Sequence, residues 1–132
     1  MAIDKNTVIK EAQKLAGKGQ FDKAIAEWRK LIKEADDNRD LSNIYNTIGD
    51  LCLKKNAKSE AADAYMRAAH LLAEEGIENK AIAVYKKVLN IDSAKIEVNL
   101  ALGDLYAAKG LSGQALENYK LVADNYTKQG LL

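Results

Sequence analysis

Proline does not occur in this chain of 132 residues, and cysteine and histidine occur once each. With Cys52 alone, neither an internal disulfide nor a thiolate metal cluster can form. With His70 alone, there is no His-x3-His metal pair, so no metal or cofactor is expected. Charge of one sign is also missing. Twenty basic residues stand against nineteen acidic ones, a net charge of +1. That balance argues against a general nucleic-acid surface or an anionic-membrane surface, both of which need a clear positive excess. No apolar run approaches the length that spans a bilayer. The opening MAIDKNTVIKEAQ turns polar at once and lacks a signal-peptide apolar core, so a cytoplasmic location is expected. Alternating Val/Ile/Thr/Tyr runs bounded by tight turns, the mark of strands, do not occur.

What remains is a helix-forming composition. Apolar residues make up 48% and charged ones 30%, and Ala, Leu, Lys and Glu dominate nearly every segment. A length of 132 residues suits one domain with an interior of its own, so 1–132 is read as a single all-α domain.

An internal pattern organises it. The small residues Ala12, Gly49, Ala69 and Gly103 are each followed twelve positions on by an alanine: Ala24, Ala61, Ala81 and Ala115. Four further on stands an aromatic: Trp28, Tyr65, Tyr85 and Tyr119. A turn residue lies between, at Gly19, Asn56, Gly76 and Gly110. Such spacing describes a helical hairpin. The small residue lets two helix axes approach, the aromatic fills the space beside it, and the turn residue supplies the left-handed conformation that ends the first helix. One hairpin cannot bury its apolar face alone, so hairpins of this kind stack into a solenoid.

The run Tyr45-x2-Ile48-Gly49-x2-Cys52 with Ala61-x3-Tyr65 resembles the tetratricopeptide repeat, and so does Asn99-x2-Leu102-Gly103-x2-Tyr106 with Ala115-x3-Tyr119. Poorer copies are Val8-x2-Glu11-Ala12-x2-Leu15 with Ala24-x3-Trp28, and Tyr65-x2-Ala68-Ala69-x2-Leu72 with Ala81-x3-Tyr85. The repeats span about 5–38, 42–75, 62–95 and 96–129, the middle two overlapping on a shared helix at 58–75. The resemblance departs from the family in lacking a proline after every second helix, where Asp36, Ala73, Ser93 and Thr127 stand instead. At Ala73 no break is needed if one helix closes one hairpin and opens the next. Two internal alignments support this sharing: 48–77 on 102–131, and GQFDKAIAEWRKL on GIENKAIAVYKKV. Seven antiparallel helices are expected, at about 6–17, 20–35, 40–55, 58–75, 77–91, 94–109 and 112–129. The resemblance implies a right-handed superhelix with a concave and a convex face.

Nothing in the chain forms a catalytic constellation, so no enzyme activity is expected. His70 reads as a solvent-facing structural residue, and Cys52 as a small buried hydrophobe with no basic partner beside it. Trp28, Tyr65, Tyr85 and Tyr119 fall on the packing register and read as core. Asp50 and Asp104, one module apart, read either as solvated charges on a helix face or as groove lining. The resemblance implies a concave groove lined by first-helix residues, here Asn43, Asn46, Asp50, Leu53 and Lys54, then Glu97, Leu100, Asp104 and Ala108. Asn6, Ile9 and Gln13 extend it on the first helix. Asn43 and Asn46, able to donate and accept at once, suit a peptide backbone. The family's basic clamp for acidic tails lacks its Lys/Arg set here, and the groove leans mildly acidic, which favours a basic or neutral segment. The expected function is therefore a non-enzymatic scaffold that binds a peptide or helix of a partner protein. The alternatives are a self-assembling homo-oligomer and, with only Lys10, Lys14 and Lys18 as a basic edge, an RNA-binding array.

At the other end, Tyr119-x2-Val122-Ala123-x2-Tyr126 repeats the first-helix pattern, and Gly130 stands where Gly76 does. The second helix that follows Gly76 has no counterpart beyond Leu131 and Leu132. The chain therefore reads as part of a longer array or as one lacking a cap. Val122, Ala123, Tyr126, Leu131 and Leu132 are expected to form an uncovered patch through which copies associate.

Overall fold

The structure is a computed structural model and describes residues 3–131. It contains seven α-helices: α1 (Lys5–Gly17), α2 (Phe21–Lys30), α3 (Asn38–Lys54), α4 (Lys58–Glu74), α5 (Glu78–Ile91), α6 (Ile96–Ala108) and α7 (Ser112–Lys128). About 81% of the described residues are helical, and no strand occurs among them. The helix expected to run to 35 ends at Lys30 and gives way to a 3₁₀ turn over Ile32–Glu34. The ADDNRD segment that follows starts α3, with the Asp37 carboxylate accepting from the Asp40 backbone N–H at 2.8 Å.

Four hairpin turns and the chain's last turn share one geometry. Gly19, Asn56, Gly76, Gly110 and Gly130 all adopt φ between 62° and 77°. In each case the next residue's N–H bonds a carbonyl five positions back, as in Ile77 to Leu72 at 2.9 Å and Leu131 to Tyr126 at 2.9 Å. This is the doubly bonded helix end that a left-handed residue permits.

Each hairpin closes around its small residue. A methyl group at Gly49 would lie 2.6 Å from Cε1 of Tyr65, and one at Gly103 would lie 2.5 Å from Cε1 of Tyr119. The rings therefore rest directly on the backbone of the facing helix. Tyr65 is 1% exposed, and Ala61, Ala68 and Ala69 on the same helix are fully buried. Helix α4 packs extensively against both α3 and α5, as a shared helix requires. A contact at the hairpin ends also repeats. Lys55 Nζ donates to the Asp22 carboxylate at 2.5 Å, and Lys109 Nζ donates to the Asn79 side-chain carbonyl at 2.7 Å. Of the neighbouring pairs, α5 and α6 pack most loosely.

Gly49→Ala and Gly103→Ala should each lose about 1–3 kcal/mol in urea denaturation, because the methyl group must displace a ring that rests on backbone. Gly113→Ala, with nothing within 4 Å of the added methyl, should instead gain about 0.5–1 kcal/mol. Tyr65→Ala should cost about 3–5 kcal/mol. A melting temperature unmoved by Tyr65→Ala would contradict the shared-helix packing.

Candidate functional site

In three of the four hairpins the residue after the small residue proves to hydrogen-bond the aromatic of the same hairpin. Tyr65 donates its hydroxyl to Asp50 at 2.5 Å, and Tyr119 donates to Asp104 at 2.6 Å. In the hairpin between them, the Tyr85 hydroxyl and His70 Nδ1 are 2.9 Å apart. All three pairs are separated by fifteen residues. Asp50, Asp104 and His70 thus hold the hydroxyls of aromatics whose rings pack inside the hairpins. The reading of Asp50 and Asp104 as merely solvated charges is replaced by this contact. Its signal was present in the sequence as the spacing Asp50–Tyr65 and Asp104–Tyr119. In the first hairpin Gln13 and Trp28 stand at these places.

These contacts set the chemistry of the phenols. Burial, then the hydrogen bond to the Asp50 carboxylate, pushes the Tyr65 hydroxyl above the usual tyrosine range. The hydrogen bond to Asp104 does most to raise Tyr119, and burial most to raise Tyr85. Burial also raises the Cys52 thiol, with the Glu60 charge adding to it, which keeps it protonated and unreactive.

Helices α1, α3 and α5 line one continuous face. Between α1 and α3 lies a cavity of about 210 Å³ with Ile9 and Asn43 on its walls and Trp28 and Leu31 beneath. Asn43 also borders a cavity of about 270 Å³ between α3 and α5, together with Ser42, Asn46, Lys80 and Lys87. A third cavity, about 430 Å³, continues along the same pair of helices past Asp50, Leu53, Lys58, Tyr65, Lys87 and Asn90. Lys87 lines both of these cavities; its Nζ donates to the Asn46 side-chain carbonyl at 3.1 Å and lies 3.7 Å from Asp50. It also sits 5.0 Å above the Tyr65 ring.

The structure therefore brings together Asn43, Asn46, Asp50 and Leu53, with Ile9 at the near end. Lys54 lines none of these cavities, nor do Glu97, Leu100 and Asp104 on α6. The second wall is α5. Sequence reasoning placed α5 as a second helix and so passed over Lys80, Lys87 and Asn90. An odd number of helices per module explains this: sharing α4 exchanges the sides on which first and second helices lie. The electrostatic lean changes with the wall. Lys58, Lys80 and Lys87 stand against Asp50 alone, so the lining between α3 and α5 is basic rather than mildly acidic.

On α7, Val122 does not belong to an uncovered patch. It lies one heptad from Ala115 on the side turned to α6 and is buried. Ala123, Tyr126 and Leu131 are exposed, joined by Leu111, Leu116 and Leu121. Leu132 lies outside the described residues.

Residues 62–95, which take in most of α4 and all of α5, match the family model of the tetratricopeptide repeat. No curated protein matches the chain. Among solved structures the chain is similar to "MamA MSR-1 C2", at 18% identity over 96% of this chain and 79% of that one, with a TM-score of 0.52. It is also similar to "MamA 41-end from Desulfovibrio magneticus RS-1", at 19% identity over 96% and 77%, with a TM-score of 0.51. The chain is an all-α helical solenoid, and the tetratricopeptide repeat is recognised in it at residues 62–95.

Tyr65 gives a pH dependence with a definite sign. Its hydroxyl ionises later in the folded chain than in the unfolded one, so folding favours the protonated form. The stability this contributes is complete below about pH 10 and falls as pH rises further. Urea midpoints at pH 7 and pH 11 should fall less for Tyr65→Phe than for the wild type. At pH 7 the variant should lose about 1 kcal/mol, since Asp50 is half exposed. Parallel losses on going to pH 11 would contradict the account.

Proposed function

We propose that this chain is a non-enzymatic protein-interaction module whose groove between α3 and α5 binds an extended peptide segment of a partner. The observation that carries the reading is the joined pair of cavities along these helices, lined by Asn43, Asn46 and Asn90 with Lys58, Lys80 and Lys87. Side-chain amides can donate to and accept from a peptide backbone in the same groove. The lysines favour a segment bearing carboxylates, because complementary charge steers encounter and sets register. Asp50 and Lys87 offset each other in the lining, which leaves Lys58 and Lys80 as its net positive charge. Leu53, 40% exposed, supplies an apolar contact at the far end. The tetratricopeptide-type fold supports an interaction role at the level of fold. The net charge of +1 favours a peptide over RNA, whose phosphates call for a clear positive excess.

Selection from a random peptide library on the immobilised protein tests this. Enriched peptides should carry Asp or Glu, and their affinity should fall roughly tenfold on Lys87→Glu and on Asn46→Ala, the range for hydrogen bonds to charged and buried groups. Enrichment of basic peptides, or affinities unchanged in both variants, would remove the groove assignment.

A further inference from the structure

The face that carries the groove continues past α3. Asn43 borders the cavity between α3 and α5 and also the cavity of about 210 Å³ between α1 and α3. The cavity on the α1 side differs in character. Ile9, Trp28, Leu31 and Ile44 give it an apolar interior. Most of its polar lining is already engaged within the protein. Lys5 Nζ donates to Asp36 at 2.9 Å, and the Asp40 carboxylate accepts from the Asp36 backbone N–H at 3.0 Å. Thr47 Oγ1 donates to the Asn43 backbone carbonyl at 2.9 Å. The exposed side-chain amide of Asn43 is the one polar group of this lining without a hydrogen-bond partner among the described residues.

The floor is open as well. Trp28 is the aromatic of the first hairpin and is only partly buried, whereas Tyr65 and Tyr85 at the equivalent places are 1% and 3% exposed. The pocket therefore offers apolar surface to a ligand. It is larger than the roughly 150 Å³ that holds a benzene-sized group, so a leucine, methionine or phenylalanine side chain fits. On the other side of α3, Lys80 is exposed and has no ion-pair partner among the described residues, whereas Lys87 is engaged with Asp50 and Asn46. Packed helices stand about 8–10 Å apart, so the two openings that flank α3 are separated by about that distance. An extended chain advances about 3.3 Å per residue and crosses α3 in about three residues.

We propose that the pocket between α1 and α3 takes a large apolar side chain of the same peptide that occupies the groove, three residues from the carboxylate that meets Lys80. This rests on the groove reading above and adds a sequence requirement to it. Asn43 stands between the two subsites, and its amide holds the peptide backbone that links them. The apolar side chain supplies most of the affinity because all of it leaves water, while the exposed lysine contributes less and sets the register.

Trp28 is the only tryptophan in the chain, so its emission reports the pocket directly. The probes are labelled serine-glycine peptides with one leucine and one glutamate, at separations of one to six residues and in both orders. Binding is read by anisotropy of the label and occupancy of the pocket by Trp28 emission. The tightest peptide should have a separation of three and should change the emission. Leucine to serine in that peptide should weaken binding tenfold or more and remove the emission change. Glutamate to glutamine should weaken it about threefold to fivefold, less at high salt, and Lys80→Gln should erase that difference. Thr47→Phe, which fills the pocket, should weaken the leucine peptide roughly tenfold and leave the serine peptide unchanged. The peptide changes leave the protein untouched, so they decide the matter even if Thr47→Phe folds poorly. A leucine peptide that binds no better than its serine version, yet still depends on glutamate and Lys80, would overturn the pocket and leave the groove standing. Binding through leucine regardless of its distance from glutamate would overturn it by making the pocket a separate site. No binding by any of these acidic peptides would remove pocket and groove together. Trp28 emission that shifts with protein concentration in the absence of peptide would also overturn the proposal, by assigning the pocket to a second copy.

Discussion

The close seat of Tyr65 on the backbone of Gly49 is the contact from which the arrangement of this molecule follows. A ring can rest there only because the facing residue has no side chain, and its hydroxyl then reaches the adjacent Asp50 carboxylate at 2.5 Å. One interaction therefore joins a steric condition, an apolar one and a polar one. The ring is removed from water, the phenol is not left unsatisfied, and the axes of α3 and α4 are held close. Burying a hydroxyl without a partner would cost about 1–3 kcal/mol, so the acceptor is part of the packing rather than an addition to it. The same arrangement recurs at Gly103, Asp104 and Tyr119, and the Tyr85 hydroxyl pairs with His70 Nδ1 at 2.9 Å in the hairpin between them.

Three of the four hairpins are closed in this way, and the stack is built from nearest-neighbour contacts. Helix α4 takes part in two of them. Its Tyr65 is seated on α3, while its Ala69–His70 pair receives Tyr85 from α5. Sharing a helix moves α5 to the side on which α1 and α3 lie, and that displacement forms the groove. Lys87 reaches across it to Asn46 and Asp50 and lies over the Tyr65 ring, so the residues that close the hairpin also shape the proposed binding surface.

Most of the fold was legible in the sequence, because its determinants are local and periodic. The spacing from Gly49 to Tyr65 and the turn residue Asn56 between them specify a hairpin without reference to anything distant. The short 3₁₀ turn at Ile32–Glu34 was not legible, since ADDNRD gives no strong stop where α2 ends. The groove was legible by half. Asn43, Asn46, Asp50 and Leu53 could be placed on one face of α3 by helical period, but which helix stands opposite depends on how successive hairpins stack. That is a tertiary fact, and it put Lys80, Lys87 and Asn90 where α6 residues were expected. The partnering of Asp50 and Asp104 was present as a repeated spacing and was missed, because an exposed carboxylate looks the same in sequence with or without a tyrosine against it. Val122 was misplaced for a related reason. Its helix has two apolar faces, and only one of them is covered.

A double-mutant cycle between Asp50→Ala and Tyr65→Phe, followed by urea denaturation at pH 7, tests the seat most directly. If the carboxylate and hydroxyl stabilise the hairpin together, the two losses are not additive, and the coupling energy is favourable at about 1–2 kcal/mol. Losses that simply add would show the Tyr65 hydroxyl and Asp50 to be independent, and would contradict the seat as the contact that holds the hairpins together.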